Sequence, residues 1–339
     1  MTEQTLADFL NTISDTGLRE VIRAIVAAGD AIKMIDRAFM VKEGEGHRSG
    51  VTAGDRIAEQ SIVSALTRNF PEARILSEED TSHPNILRKD APEGILELPQ
   101  VFIVDPTDGT ALYGSKLDGW CVGAGEMRRG RLISSVIYAP ATNNGVLVVA
   151  ESEGSVRVAE WDWSQVTTYG PVASKRPSRQ SIFLTGVNTM LYPSVAATIS
   201  NIVPNFKAHY TKGSGLFALA MVACGRAQAV LQPPEKVWDW APAYRAVKQG
   251  GNVFKFFRLI DEPDWHPDPA IEPEKQTPTR MLVPIEHYDR WAFVTLKEDT
   301  QSRLGFVAGE PAFVEKIWNE LPRRGWLRVN PDTVSGTWE

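Results

Sequence analysis

The chain has 339 residues, 43% hydrophobic and 23% charged, a globular composition long enough for about two domains. Lys and Arg total 36 against 42 Asp and Glu, a net charge of −6; nucleic acid, which calls for a basic face, is not an expected partner. Cys121 and Cys224 are too few for a disulfide framework, no apolar run of 18 residues suits a membrane span, and residues 1–5 lack a basic leader, so a cytoplasmic protein is expected.

Leu18, Val21, Ile22, Ile25, Ile32 and Ile35 recur at helical spacing, which predicts a helix over about 18–39. A Gly-rich, charged break at 44–50 precedes a second helix over about 52–69. Thr52 and Asp55 open it in capping-box spacing, and Phe70-Pro71 stops it. From residue 73 short apolar runs replace the helical period. Strands are predicted at 74–76, 101–104, 120–127, 132–138 and 146–151, the last three as a meander. Residues 161–179, polar with two prolines, are the expected boundary between an N-terminal α+β subdomain (1–170) and a C-terminal α/β subdomain (171–339). The second part alternates: strand 181–184, helices 194–202 and 216–224, strand 227–231, and a helix over 239–249 closed by Gly250-Gly251. Residues 261–280 carry five prolines and read as a surface loop. The class is α/β or α+β.

Chemistry concentrates where Phe102-Ile103-Val104 runs into Asp105-Pro106-Thr107-Asp108-Gly109-Thr110. Pro106 interrupts regular pairing, a second carboxylate follows three residues after the first, and Gly109-Thr110 opens a helix. Two carboxylates around one turn suit a hard cation such as Mg²⁺, and the N–H groups of a helix start suit a phosphate. Asp105 and Asp108 also fit a plain turn and N-cap. Their company favours the cation. Ser77-Glu78-Glu79-Asp80 ends another strand, and Val237-Trp238-Asp239-Trp240 joins a strand to a helix. Each has a plainer reading, as a solvated turn or an N-cap, but three acidic strand ends are what a multi-metal phosphate enzyme needs. Gly123, Gly125 and Gly130 lack dinucleotide spacing, and the five histidines form no ligand set. Trp240 fits either the core or the pocket wall.

Taken in order, Val51-Thr52-Ala53-Gly54-Asp55 with Glu59, Ser77-Glu78-Glu79 and Asp105 through Thr110 resemble the inositol monophosphatase family. Gly213-Ser214-Gly215, Val222-Ala223-Cys224-Gly225-Arg226-Ala227 and Trp238-Asp239-Trp240-Ala241-Pro242 continue the resemblance, which spans about residues 18–255. The group comprises lithium-sensitive, Mg²⁺-dependent phosphatases, with fructose-1,6-bisphosphatases and phosphoadenosine phosphatases among them. The resemblance implies a layered αβαβα sandwich and a phosphomonoesterase acting on a small phosphorylated sugar, cyclitol or related metabolite. It also implies two or three Mg²⁺ ions, inhibition by Li⁺, and a homodimer.

Residue by residue, the resemblance implies that Glu78, Asp105 and the Thr107 carbonyl hold one metal, and Asp105, Asp108 and Asp239 a second. A third would rest on Glu78 and water. The Thr110 hydroxyl, oriented by Asp55, would help deprotonate the attacking water, with Glu78 in the same catalytic set. The Gly109 and Thr110 N–H groups would cradle the phosphate, while Asp108, Gly213, Ser214, Gln232 and Asp239 would face the substrate. Gln232 stands where inositol-processing relatives carry a glutamate that contacts substrate hydroxyls, which argues against inositol phosphate itself. Pro242 replaces a usual Ala or Gly, and 257–302 reads as an insertion. The alternatives are a nucleotide or sugar bisphosphate phosphatase, or a metal-binding regulatory protein without catalysis.

Overall fold

In the computed structural model the amphipathic N-terminal segments form α1 (Glu3–Asn11) and α2 (Thr16–Lys33). The described residues are 3–35, 39–41, 50–79, 83–87, 94–142, 145–160, 165–169, 181–263, 266, 279–293 and 303–328. Asp15 caps α2 by accepting the Leu18 N–H at 3.0 Å, and the helix ends at Lys33, earlier than its apolar period suggests. Phe39-Met40-Val41 lacks that period and is β1 (Phe39–Val41), antiparallel to β2 (Gly50–Thr52). The expected break at 44–50 lies, apart from Gly50, outside the described residues. Next comes α3 (Ala53–Asn69), opened by the expected capping box between Thr52 and Asp55.

The meander forms as the apolar runs predict and extends further. β3 (Arg74–Ser77) and β4 (Val101–Asp108) pair in parallel; the five-residue α4 (Thr110–Gly114) follows. β5 (Cys121–Arg128), β6 (Arg131–Ala139), β7 (Val146–Ala150), β8 (Val156–Glu160) and β9 (Gln165–Tyr169) then add in turn, each antiparallel to the last. β9 falls within 161–179, the stretch expected to hold the boundary, and is a strand the sequence reading lacks: its Val, Thr and Tyr suit a sheet edge. Residues 170–180, where the expected boundary falls, lie outside the described residues.

The second sheet comes entirely from residues after 181. β10 (Ile182–Gly186), α5 (Pro193–Ile202), β11 (Ala208–Lys212), α6 (Gly215–Ala223), β12 (Ala229–Glu235) and α7 (Ala241–Gln249) alternate; β11 is a strand that the sequence reading lacks, and the others stand close to their expected places. β13 (Val253–Asp261), β14 (Arg280–Ile285), β15 (Leu304–Gly309) and α8 (Pro311–Glu320) complete it, in the order β11-β10-β12-β15-β13-β14. Within 257–302, residues 257–261 and 280–285 are thus paired strands of the sheet, not decoration.

Three apolar clusters define the layers. α2 and α3 cover one face of the seven-stranded sheet. α6, apolar on nearly every face, lies with α7 between the two sheets, and α5 and α8 cover the far face of the second. The result is the αβαβα layering that the resemblance implies. Pro242 fits the middle layer because it sits on Gly125: a Cβ there would meet Pro242 Cα at 2.9 Å. Among the described residues no helix is long and apolar enough to cross a membrane.

Candidate active site

The site begins with strand register. Ser77 lies opposite Val104 in the parallel β3–β4 pair, so Glu78 and Asp105 emerge side by side from the same end of the sheet. Residues three apart on a regular strand point to opposite faces. At Pro106, which has no N–H to give, the β4–β5 register slips between Asp105 and Asp108, and both carboxylates turn into one group. The second sheet supplies Asp239 from the 3-10 turn Val237–Asp239. It is not the N-cap of α7, a position Trp240 occupies; its Oδ2 accepts the Lys236 N–H at 2.9 Å.

Carboxylate oxygens of Asp105, Asp108 and Asp239 lie within 4.8 Å of one another. Asp105 Oδ1 accepts the Thr107 N–H at 3.0 Å, while its Oδ2 is buried with no protein hydrogen-bond partner. Asp108 Oδ2 accepts the Ser214 hydroxyl at 2.6 Å and the Leu216 N–H at 2.5 Å. Burial, reinforced by Glu78, Asp108 and Asp239, pushes the Asp105 carboxyl well above the usual carboxylate range. Burial and then Glu235 and Asp108 do the same to Asp239. Burial outweighs the Ser214 and Leu216 hydrogen bonds at Asp108 and pushes it up to about 7. Gathering three ionised carboxylates out of water is costly without a cation. An all-oxygen donor set with one unmatched buried oxygen fits a hard divalent ion such as Mg²⁺. Glu78 stands half-buried at the edge, near enough to bear on all three carboxylates but outside the tight group.

Beside this group lies a hydroxyl–carboxylate pair. Asp55 is fully buried, and its Oδ2 accepts both the Thr52 N–H and the Thr52 hydroxyl at 2.6 Å. Its Oδ1 is 3.1 Å from the Thr110 hydroxyl, which also lies 3.0 Å from the Thr107 carbonyl. Burial raises the Asp55 carboxyl against the pull of Thr52. Gly109 precedes Thr110 at φ +87°, a left-handed conformation that a side chain would strain.

A cavity of about 100 Å³ opens on Asp108 and Asp239. Gly213, Ser214 and Gln232 line it, as the sequence leads one to expect. The Gln232 carboxamide oxygen is buried without a hydrogen-bond partner, and it packs so closely on Gly186 that a Cβ there would lie 1.5 Å away. Trp240 belongs to the core, packed on Phe256 and Tyr288 rather than on the cavity. Asn188, Lys212 and Glu235 also line the cavity and escape the sequence reading. The run Gln232-Pro233-Pro234-Glu235 held the signal for Glu235, because the β12–β15 register slips there too.

The model of the inositol monophosphatase family matches residues 17–261. A Nus factor SuhB of Xylella fastidiosa is 29% identical over 216 residues, covering 62% of this chain and 70% of that protein. Inositol monophosphatase 2 of Homo sapiens is 26% identical over 213 residues, covering 60% and 67%. Among solved structures, the extragenic suppressor protein SuhB of Bartonella henselae superposes at a TM-score of 0.65 with 18% identity, over 91% of this chain and 99% of that one. The Thermotoga maritima IMPase gives 0.59 at 18% identity, over 90% and 99%. On a match that takes in the seven-stranded sheet, most strands of the second and every acidic strand end of the site, this chain belongs to the inositol monophosphatase family.

Proposed function

We propose that the chain is a Mg²⁺-dependent phosphomonoesterase acting on a small phosphorylated metabolite. One observation carries the reading: three carboxylates, two buried and one half-buried, with oxygens within 4.8 Å of one another, at the end of a cavity and beside the Thr110–Asp55 pair. Asp105, Asp108 and Asp239 would hold the metal, with Glu78 and the Thr107 carbonyl completing the donors. Bound Mg²⁺ supplies positive charge for the phosphate oxygens and acidity for a water.

The chain's own groups account for the remainder. Asp55 is fixed by Thr52, so the Thr110 hydroxyl can give its proton to Asp55 Oδ1 while its lone pair accepts one from the attacking water. Ser214 and the Leu216 N–H hold the Asp108 carboxylate in place. The Gly109 and Thr110 N–H groups face the phosphate, and Gln232 lines the cavity beside them. A carboxamide there adds no further negative charge near Asp239, unlike the glutamate expected of an inositol-processing enzyme. The reading includes inhibition by Li⁺ and a homodimer, as the family resemblance implies. Relatives named Nus factor SuhB and relatives named inositol monophosphatase match to similar extents, so similarity does not choose between a factor and an enzyme. The complete acid set favours hydrolysis.

The test is inorganic phosphate release from a panel of sugar, cyclitol, nucleotide and hydroxy-acid phosphates, with Mg²⁺ and with EDTA. Release that requires Mg²⁺ and concentrates on a few compounds is the expected result. A panel left intact by a protein that still binds Mg²⁺ would replace the enzyme reading with a non-catalytic one.

A further inference from the structure

The helix that presents Thr110 is short. α4 has five residues, too few to hold a helical shape alone, and its N-cap, Gly109, offers no side-chain hydrogen bond. Among its residues Tyr113 is the buried one, so this side chain anchors α4 to the rest of the protein. It stands one helical turn after Thr110. Its ring meets Trp120 edge-on, with centroids 4.9 Å apart. Its hydroxyl donates to the Ile32 carbonyl at 2.7 Å, in the last turn of α2, where carbonyls lack the usual N–H four residues on.

The same ring rests on Gly54, the residue before Asp55. A Cβ at Gly54 would come within 2.7 Å of Tyr113 Cε1 and Cζ, closer than carbon atoms approach without displacement. Gly54 lies in the first turn of α3, where glycine costs helix stability, and the ring fills the space that its missing side chain leaves. One side chain thus belongs to the segment that presents Thr110, touches the segment that presents Asp55, and ties both to α2.

We propose that Tyr113 is a positioning residue for the Thr110–Asp55 pair: held by the Ile32 carbonyl and seated on Gly54, it sets the 3.1 Å separation of the Thr110 hydroxyl and Asp55 Oδ1. The proposal rests on the phosphomonoesterase reading for the use of that pair in proton transfer. A hydrogen bond already at 3.1 Å has little room to lengthen before it weakens, so a displacement of a few tenths of an ångström matters there. Tyr138 supplies the contrast. Its hydroxyl donates to Asp30 of α2 at 2.6 Å, and a Cβ at Gly29 would meet its ring at 2.7 Å. The device is the same, but it fastens α2 to β6 and lies on neither segment of the pair.

Kinetics and carbon-13 spectra of the whole chain test the role. On the phosphate ester turned over fastest, Tyr113→Phe should lower kcat about tenfold, with KM and the calorimetric Mg²⁺ affinity unchanged. Gly54→Ala, which pushes the ring outward, should act in the same way, and Tyr138→Phe should leave kcat as it is. In a Thr110→Ala background Tyr113→Phe should add no further loss, because its effect passes through that hydroxyl. The carboxyl ¹³C resonance of Asp55, identified in aspartate-labelled, metal-free protein by its loss in Asp55→Asn, reads the pair without turnover. It should move in Tyr113→Phe and Gly54→Ala, as in Thr110→Ala, and stay in place in Tyr138→Phe. A resonance that Tyr113→Phe and Gly54→Ala both leave in place, or the same kcat loss repeated in the Thr110→Ala background, overturns the positioning role. A resonance that moves in a protein that turns over no phosphate ester would keep that role and overturn the phosphomonoesterase.

Discussion

The β-ladder slips twice near the site, at Pro106 in β4 and at Pro233-Pro234 in β12, and the two slips do different work. The first turns Asp105 and Asp108 to one side, where Thr107, Ser214 and Leu216 hold them. The second sets Gln232 and Glu235 on the cavity wall. Both use proline's missing N–H to break pairing where side chains are needed. The first slip lies within a motif that resembles the family's, while the second carries this chain's departure from it. On the proposed reading the chemistry belongs to the β4 slip and the choice of substrate to the β12 slip.

Asp105→Asn is the most severe test of that division. It removes the central carboxylate of the floor, and turnover should fall by about a thousandfold or more. Melting without metal should stay level or rise, because a crowded buried charge is gone. Near-normal phosphate release would show that the floor is not where the chemistry happens. Thr110→Ala should lower kcat by about a hundredfold with little change in KM, since it removes a proton acceptor rather than a substrate contact. A change confined to KM would move Thr110 from the chemistry to binding.

Protons separate the regions next. Asp108 binds its proton near pH 7 in the folded protein and near 3.8 when unfolded. Between those values the folded state holds the extra proton, so metal-free stability should fall as pH rises from about 4 to about 7. Mg²⁺ competes with those protons, so its gain in melting temperature should be larger at pH 8 than at pH 5. A gain equal at both would remove the floor from the metal account. The smallest effect is expected at the β12 slip. Gln232→Glu should change KM by only about fivefold and kcat less, with the direction differing between polyol and acidic substrates. A collapse of kcat would mean that the wall takes part in the chemistry.

Much of this was legible in the sequence where local chemistry is strong. The Thr52–Asp55 box, the meander strands and the strand-to-turn carboxylates at 105 and 108 each carry their own signal, and each stands where its spacing points. Asp239 was legible as an acidic strand end, but its capture by the Lys236 N–H rather than at a helix cap depends on a 3-10 turn that spacing does not reveal. β9 was missed because edge strands tolerate polar residues. Asn188, Lys212 and Glu235 were missed because they meet only when three separate segments close around one cavity.

Whether the acidic floor holds a cation decides between an enzyme of this kind and a plain acidic turn. Titration of the metal-free protein with Mg²⁺ at pH 7.5, followed by calorimetry in two buffers of different ionisation heat, tests that directly. Binding with proton release, lost in Asp105→Asn, is the result expected of buried carboxyls held above their usual range. Absence of a Mg²⁺ binding heat, or the same heat in both proteins, would contradict it.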